Sequence, residues 1–228
     1  MIRQTVAIQA LERPEDAAFD FAELLAARAE LMRGRPKRVR TRARLLAAAA
    51  RELAATGYEG LTVEAVCAAA DMARGTFYLY YADRSKIAVT LYRMFWTAVY
   101  QLRPRLRGRS LDERIRVTNA FYLALYARNA PFLTGQASLA RDRPEFAQWH
   151  DRMNHRWSLV IAANMPGRLP RDEKVLRARA LVAMADELLS NIFTARTASL
   201  RHWAEHPGRL ADCLTAIWTR VVVDKNDI

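Results

Sequence analysis

Apolar positions recur at helical spacing along nearly the whole chain, and runs of the strict alternation that marks a half-buried strand are hard to find. Leu46, Ala49, Ala50 and Leu53 fall at i, i+3, i+4 and i+7 and form one stripe on a helix over roughly 41–56, which Gly57 ends as a C-cap glycine does. Thr62, a good N-cap residue, opens a second helix with Val63, Val66 and Cys67 inward and Ala65, Ala68, Ala69 and Ala70 small enough for close contact. "ADMA" breaks it, and Arg74 opens a third short helix running to about Tyr80. Two short helices joined by about three residues are the helix-turn-helix arrangement, a pattern that small helical bundles also produce.

From Asp83, a further N-cap candidate, long amphipathic segments take over. The pattern predicts helices at roughly 84–107, 110–129, 131–141, 143–164, 171–201 and 207–224. Ser110 with Glu113 makes a capping box, and "RPRLRGRS", "NAP", "DRP" and "MPGRLP" supply the breaks. Upstream, "PEDAAFDFAELLAARAELM" begins with Pro and acids, as first turns do, and places Phe21, Leu24, Leu25 and Leu31 at helical spacing. The expected class is all-α. The expected division is an N-terminal extension with an extra helix and a basic arm (1–36), a helix-turn-helix domain (37–83) and a larger helical domain (84–228).

Charge changes that picture most. The extension is mildly acidic until Arg33, Arg35, Lys37, Arg38, Arg40, Arg42 and Arg44 follow one another with no acid between. The whole chain of 228 residues carries a formal net charge of +12, which points to a polyanionic partner, nucleic acid or an anionic membrane surface. The basic cluster sits at and before a helix N-terminus, where backbone N–H groups already favour phosphate. Cys67 and Cys213 stand far apart among apolar neighbours and read as small buried hydrophobes of a reducing cytoplasm. The longest stretch free of Asp, Glu, Lys and Arg is 129–140, too short for a spanning helix of about 20 residues. A soluble, cytoplasmic chain with no membrane partner is expected.

Residues 41–92, "TRARLLAAAARELAATGYEGLTVEAVCAAADMARGTFYLYYADRSKIAVTLY", resemble the DNA-binding region of the TetR/AcrR bacterial transcriptional regulators. The resemblance rests on Gly57 and Tyr58 between the first two helices, Thr62 at the start of the second, the "GTFY" core and Lys86 after the loop. It implies a homodimer that binds a double-stranded DNA operator and is released by a small effector held in the C-terminal helical domain. By position it implies Arg74, Thr76 and Tyr78 on the recognition helix toward the major groove, with Gly75 allowing close backbone approach. Thr62, Tyr80 and Lys86 would hold phosphates, with Arg38, Arg40 and Arg42 as a basic arm, while Phe77 and Tyr81 turn inward. Three positions depart from the family pattern: Asp71 stands for the usual Gly, Ala73 for Ser or Thr, and Tyr81 for Phe.

The larger domain offers less. Trp96, Tyr100, Phe121, Tyr122, Tyr126, Met153, Trp157 and Met184 are candidates to line an apolar pocket for an aromatic or lipophilic effector, with Asn119, Asn154 or His155 as polar points. The last two helices, carrying Leu181, Met184, Leu188, Leu189, Ile192, Leu210, Leu214, Ile217 and Val221, are by resemblance the dimer interface. "HWAEH" matches H-x-x-E-H, so a metal-dependent hydrolase on His202, Glu205 and His206 is the rival reading. Pro207 and Gly208 end the helix there, which favours histidines at a helix C-terminus instead. No enzyme activity, metal or cofactor is expected.

Overall fold

The computed structural model describes residues 18–223, and every regular element among them is helical. In chain order these are α1 (Phe21–Leu31), α2 (Lys37–Gly60), α3 (Val63–Ala70), α4 (Arg74–Tyr78), α5 (Arg84–Leu102), α6 (Leu111–Leu133), α7 (Gln136–Asp142), α8 (Pro144–Ala162), α9 (Arg171–Leu189) and α10 (Pro207–Val222). A π turn at Ser190–Thr194 and a 3-10 turn at Arg201–Glu205 lie between α9 and α10.

α2 is the central element. Leu45, Leu46, Ala47, Ala48, Ala49 and Ala50 are all buried, because α1, α3, α5, α6 and α7 lean on it from several sides. Consecutive alanines suit that position: they favour the helix at no side-chain entropy cost and leave room for neighbours on every face. Gly57 stops the regular helix with φ 68° and ψ −179°, a conformation that strains any residue with a Cβ. Tyr58 follows it, buried, and there the α6–α7 turn presses on α2. A Cβ on Gly135 would lie 2.4 Å from Tyr58 Cβ and 2.5 Å from its backbone nitrogen.

α1 finds its partners in α2 and the larger bundle. Asp20 caps it by accepting from Glu23 N–H at 2.9 Å. Asn129 on α6 pins its entry, accepting from Phe21 N–H at 2.9 Å and donating to Phe19 O at 2.7 Å. Phe21 then packs on Phe132 and Phe95, with ring centres 5.0 and 5.5 Å away. The predicted start of this helix at Pro14 falls outside the described residues.

Several boundaries differ from the sequence pattern. α2 begins at Lys37, so Arg38, Arg40 and Arg42 sit on its first two turns and not on a flexible arm. Pro36, already at helix-compatible φ, starts it. α5 ends at Leu102, since Pro104 forces the preceding residue out of the helical region. α6 runs through Pro131, where "NAP" predicted a break. So near a helix end a proline forfeits little, and Asn129 and Thr134 side chains donate to the Leu125 and Ala130 carbonyls. α9 stops at Leu189, twelve positions short of the pattern. Polar side chains there compete for backbone groups: Asn191 donates to Glu187 O and Thr194 to Ser190 O, which unwinds the helix.

The main core joins α1–α7 to parts of the later helices, and a smaller cluster of Ile115, Ala162, Met165, Ala178, Leu181, Ala185, Trp218 and Val222 closes the far end. Cys67 is buried, but Cys213 is exposed on the outer face of α10, contrary to its apolar neighbourhood in sequence.

Candidate nucleic-acid interface

Three helices build the surface. Thr62 Oγ1 accepts from Ala65 N–H at 3.1 Å and starts α3. Asp71 ends α3 in the left-handed region with φ 51°, which Asp tolerates better than most residues. Arg44 on α2 closes that end, donating to Ala70 O at 2.7 Å and lying 3.7 Å from the Asp71 carboxylate. α4 follows after a short turn. Ala73 gives it no side-chain cap, and five residues cannot hold a helix alone.

Phe77 holds it instead. Its ring is fully buried beneath α4, with Tyr78 5.6 Å and Tyr81 5.9 Å away between ring centres. The opposite side of this short element faces solvent: Arg74, Gly75 and Tyr78 are exposed, Thr76 and Tyr80 half-buried. Leu79 is 83% exposed on the same short segment; sequence reading passed over it, though an apolar residue beside an anchored aromatic was a usable signal. Arg74 is held toward α3 by Glu64 at 3.0 Å. Tyr81 is buried with its hydroxyl unpaired; burial raises its pKa, and Arg42 nearby works the other way.

Arg38, Arg40 and Arg42 stand exposed on the first turns of α2. Arg38 and Arg42 join Arg28, Leu25, Met32, Val39, Ala43 and Leu46 around a cleft of about 200 Å³. Lys86, on the first turn of α5, is paired with Glu145 at the start of α8, 3.0 Å away. That lysine is the first cause holding the Glu145 carboxyl below the usual range.

Behind this surface a polar joint ties head to bundle. Arg84 donates to the Tyr58, Glu59 and Leu61 carbonyls at 2.9–3.0 Å and lies over the Tyr58 ring. The Tyr58 hydroxyl donates to Asp142 at 3.0 Å, and Arg143 to Asp83 at 2.8 Å. Burial pushes the Asp83 carboxyl up, but donation from Ser85, Lys86 N–H and Arg143 outweighs it and holds the group below its usual value.

This geometry has a known counterpart. Residues 45–91, which take in most of α2, all of α3 and α4 and the start of α5, match the family model of the bacterial regulatory proteins, tetR family. The head carries the tetR-family domain. A crystal structure of a transcriptional regulator from Rhodococcus sp. Rha1 shares the fold at 20% identity, with TM-score 0.62 over 78% of this chain and 95% of that one. No curated protein matches. Among the described residues no helix is long and apolar enough to cross a membrane.

The sequence candidates for an effector pocket divide between core and surface. Trp96, Phe121 and Tyr126 are buried, and Tyr122, Met153, Trp157 and Met184 half-buried. Tyr100 is exposed and pairs with Trp157, ring centres 5.4 Å apart, with the Arg103 guanidinium over both. Asn119 is turned to α10, donating to Thr215 at 3.4 Å, and His155 is exposed. Asp186, which sequence reading missed, is held by the Tyr122 and Tyr126 hydroxyls.

"HWAEH" does not form the predicted helical face. His202 and Glu205 lie in a 3-10 turn and His206 directly precedes α10 with no side-chain capping bond, so a 3.6-residue repeat does not align the two histidines and neither sits at an α-helix C-terminus. Among the described residues no three His, Cys, Asp or Glu side chains converge as metal ligands.

Proposed function

We propose that this protein is a cytoplasmic, homodimeric, DNA-binding repressor that binds a near-palindromic operator and leaves it when a small molecule enters the larger domain. The division it requires is a DNA-binding head at 37–83 and an effector and dimer domain at 84–228. The observation that carries the reading is the two-sided α4: Phe77 sealed beneath, Arg74, Gly75 and Tyr78 open above. Arg74 takes a guanine edge, Tyr78 and Thr76 contact the groove, Lys86, Arg38, Arg40 and Arg42 neutralise phosphates, and the Thr62 and Tyr80 hydroxyls donate hydrogen bonds to them.

Two heads reach one duplex only if their α4 helices stand about 34–36 Å apart, or a multiple of that. The dimer surface we assign is the outer face of α9 and α10. Leu181, Leu189, Ile192, Leu210 and Leu214 are buried within the subunit, but Leu176 is 68% exposed and Ile217 37% exposed, with Ala180, Ala183, Cys213 and Ala216 also outward. An effector that binds the DNA-incompetent spacing more tightly shifts the dimer off its operator, and α5, capped by Asp83 at the joint, is the element that moves. Selection of genomic fragments on the purified chain, with light scattering for mass, tests this. A dimer that enriches a near-palindromic site is expected; a monomer, or enrichment without sequence preference, would overturn it.

A further inference from the structure

The excess of positive charge is not in the head. Residues 37–83 carry 7 Lys and Arg against 5 Asp and Glu, whereas residues 84–228 carry 24 against 13. Most of the formal net charge of +12 therefore belongs to the larger domain. A groove contact through α4 does not call for charge there, and like charges gathered on one body repel one another.

Much of it gathers at the end of the bundle away from the head. α5 leaves the joint at Arg84 and runs for 19 residues, about 28 Å, before the loop "RPRLRGR" (103–109) turns the chain toward α6. The connection from α8 to α9 (163–170) lies beside the start of α6, where Arg114 donates to Asn164 Oδ1 at 3.1 Å. Lys174 on α9 holds the same connection through the Met165 and Gly167 carbonyls, at 2.9 and 2.8 Å, and the contact of Tyr100 with Trp157 joins α5 to α8 there. These contacts bring Arg105, Arg107, Arg109, Arg116, Arg156 and Arg168 to one end of the bundle, and all six are exposed.

Their charge is unanswered. Among the described residues none of the six is in an ion pair. The carboxylates of this end are mostly engaged: Asp112 accepts from the Thr219 hydroxyl at 2.9 Å, Glu113 folds back on the Ser110 cap, and Glu173 holds Arg177 at 2.7 Å. Asp172 is exposed. Several guanidinium groups spread over two loops and two helices suit a partner with closely spaced phosphates, which their planar forks bind well. A bilayer fits less well. Leu106 and Leu169 on the two loops are half-buried, and Tyr100 and Trp157 lie under the Arg103 guanidinium, so the charged loops offer little apolar surface to insert.

We propose that this end of the larger domain holds a second segment of double-stranded DNA through its phosphates, without sequence preference, so that one protein joins two duplex segments. The joining rests on the head holding the first segment, because a duplex seated on α4 lies at the opposite end of the molecule from these arginines.

The full chain, loaded on an immobilised selected operator, is offered a labelled duplex of unrelated sequence at low salt. The native chain is expected to capture it. Combined Arg105→Gln, Arg107→Gln, Arg109→Gln and Arg168→Gln is expected to reduce capture at least about fivefold and to lower its salt slope by about 2 to 4. Lys at the same four positions is expected to restore capture, and operator affinity by anisotropy is expected to stay unchanged in both variants. No capture by the native chain, undiminished capture by the Gln variant, a matching loss of operator affinity, or failure of Lys to restore capture would overturn the proposal. So would binding to phosphatidylglycerol vesicles in place of the second duplex. Retention on the operator is scored first. A chain not retained there removes the operator reading, and the far end is then tested on the unrelated duplex alone, where the same loss in the Gln variant is expected and its absence overturns the proposal.

Discussion

The head and the larger bundle are assembled from similar amphipathic helices, yet they enclose different groups. Beneath α3 and α4 lie Leu53, Leu61, Val66 and Phe77, with the Tyr81 ring and its buried hydroxyl beside them, and the polar side chains of α3 and α4 point outward or cap them. The larger bundle encloses Asn119, Asn129, Ser158 and Thr215, and Asp186 between two tyrosines. A dry interior fixes one conformation of a small element; buried polar groups cost stability and persist where some other requirement keeps them. On the proposed function, the first region presents a surface unchanged and the second responds.

The sharpest break in that contrast comes from Phe77→Ala. Removing a fully buried ring costs about 3–5 kcal/mol, and α4 has no cap or length to compensate. Urea unfolding followed by circular dichroism is expected to show the head melting first, with DNA binding lost before the bundle unfolds.

Asp186→Asn is expected to act in the opposite direction. Because the folded-state pKa is raised from 3.8 to about 6, the folded protein binds the proton more tightly than the unfolded chain, and the charge penalises folding as pH rises through that interval. Relief of the penalty adds about 3 kcal/mol above pH ~7 and nothing below pH ~4. Thermal melts of both proteins at pH 4 and pH 8 read the difference directly, and equal melting points at pH 8 would remove the cost on which the contrast depends.

The smallest effect belongs to the surface. Lys86→Ala is expected to weaken binding to all DNA sequences alike and to reduce the salt slope by about 1. Glu145→Gln, which frees Lys86 from its solvent-exposed ion pair, moves affinity the other way by a smaller amount. Fluorescence anisotropy at several salt concentrations distinguishes them.

Sequence and structure agree best where local chemistry decides the backbone. Gly57, Thr62 and Asp71 each specify one backbone conformation or cap, so the head was legible residue by residue. The helix through Pro131 was not, because spacing alone does not reveal that α6 continues to Leu133 and that the turn at Gly135 packs on Tyr58. Nor was Asp186, whose sequence neighbours suggest a solvated helix face. Its half-buried setting is produced by Tyr122 and Tyr126, some sixty residues earlier. The ion pairs of Arg74 with Glu64 and Lys86 with Glu145 were likewise long-range facts, set by how α3 and α8 approach.

Most depends on α4 offering Arg74 to a base edge. The decisive measurement is the ratio of affinities for a selected operator and a shuffled duplex, for the native chain and for Arg74→Ala, by anisotropy at fixed salt. Loss of a guanine contact worth about 1–3 kcal/mol is expected to cut that ratio by roughly fivefold to over a hundredfold while binding to shuffled DNA changes little. An unaltered ratio would contradict the assignment of α4 as the element that reads sequence.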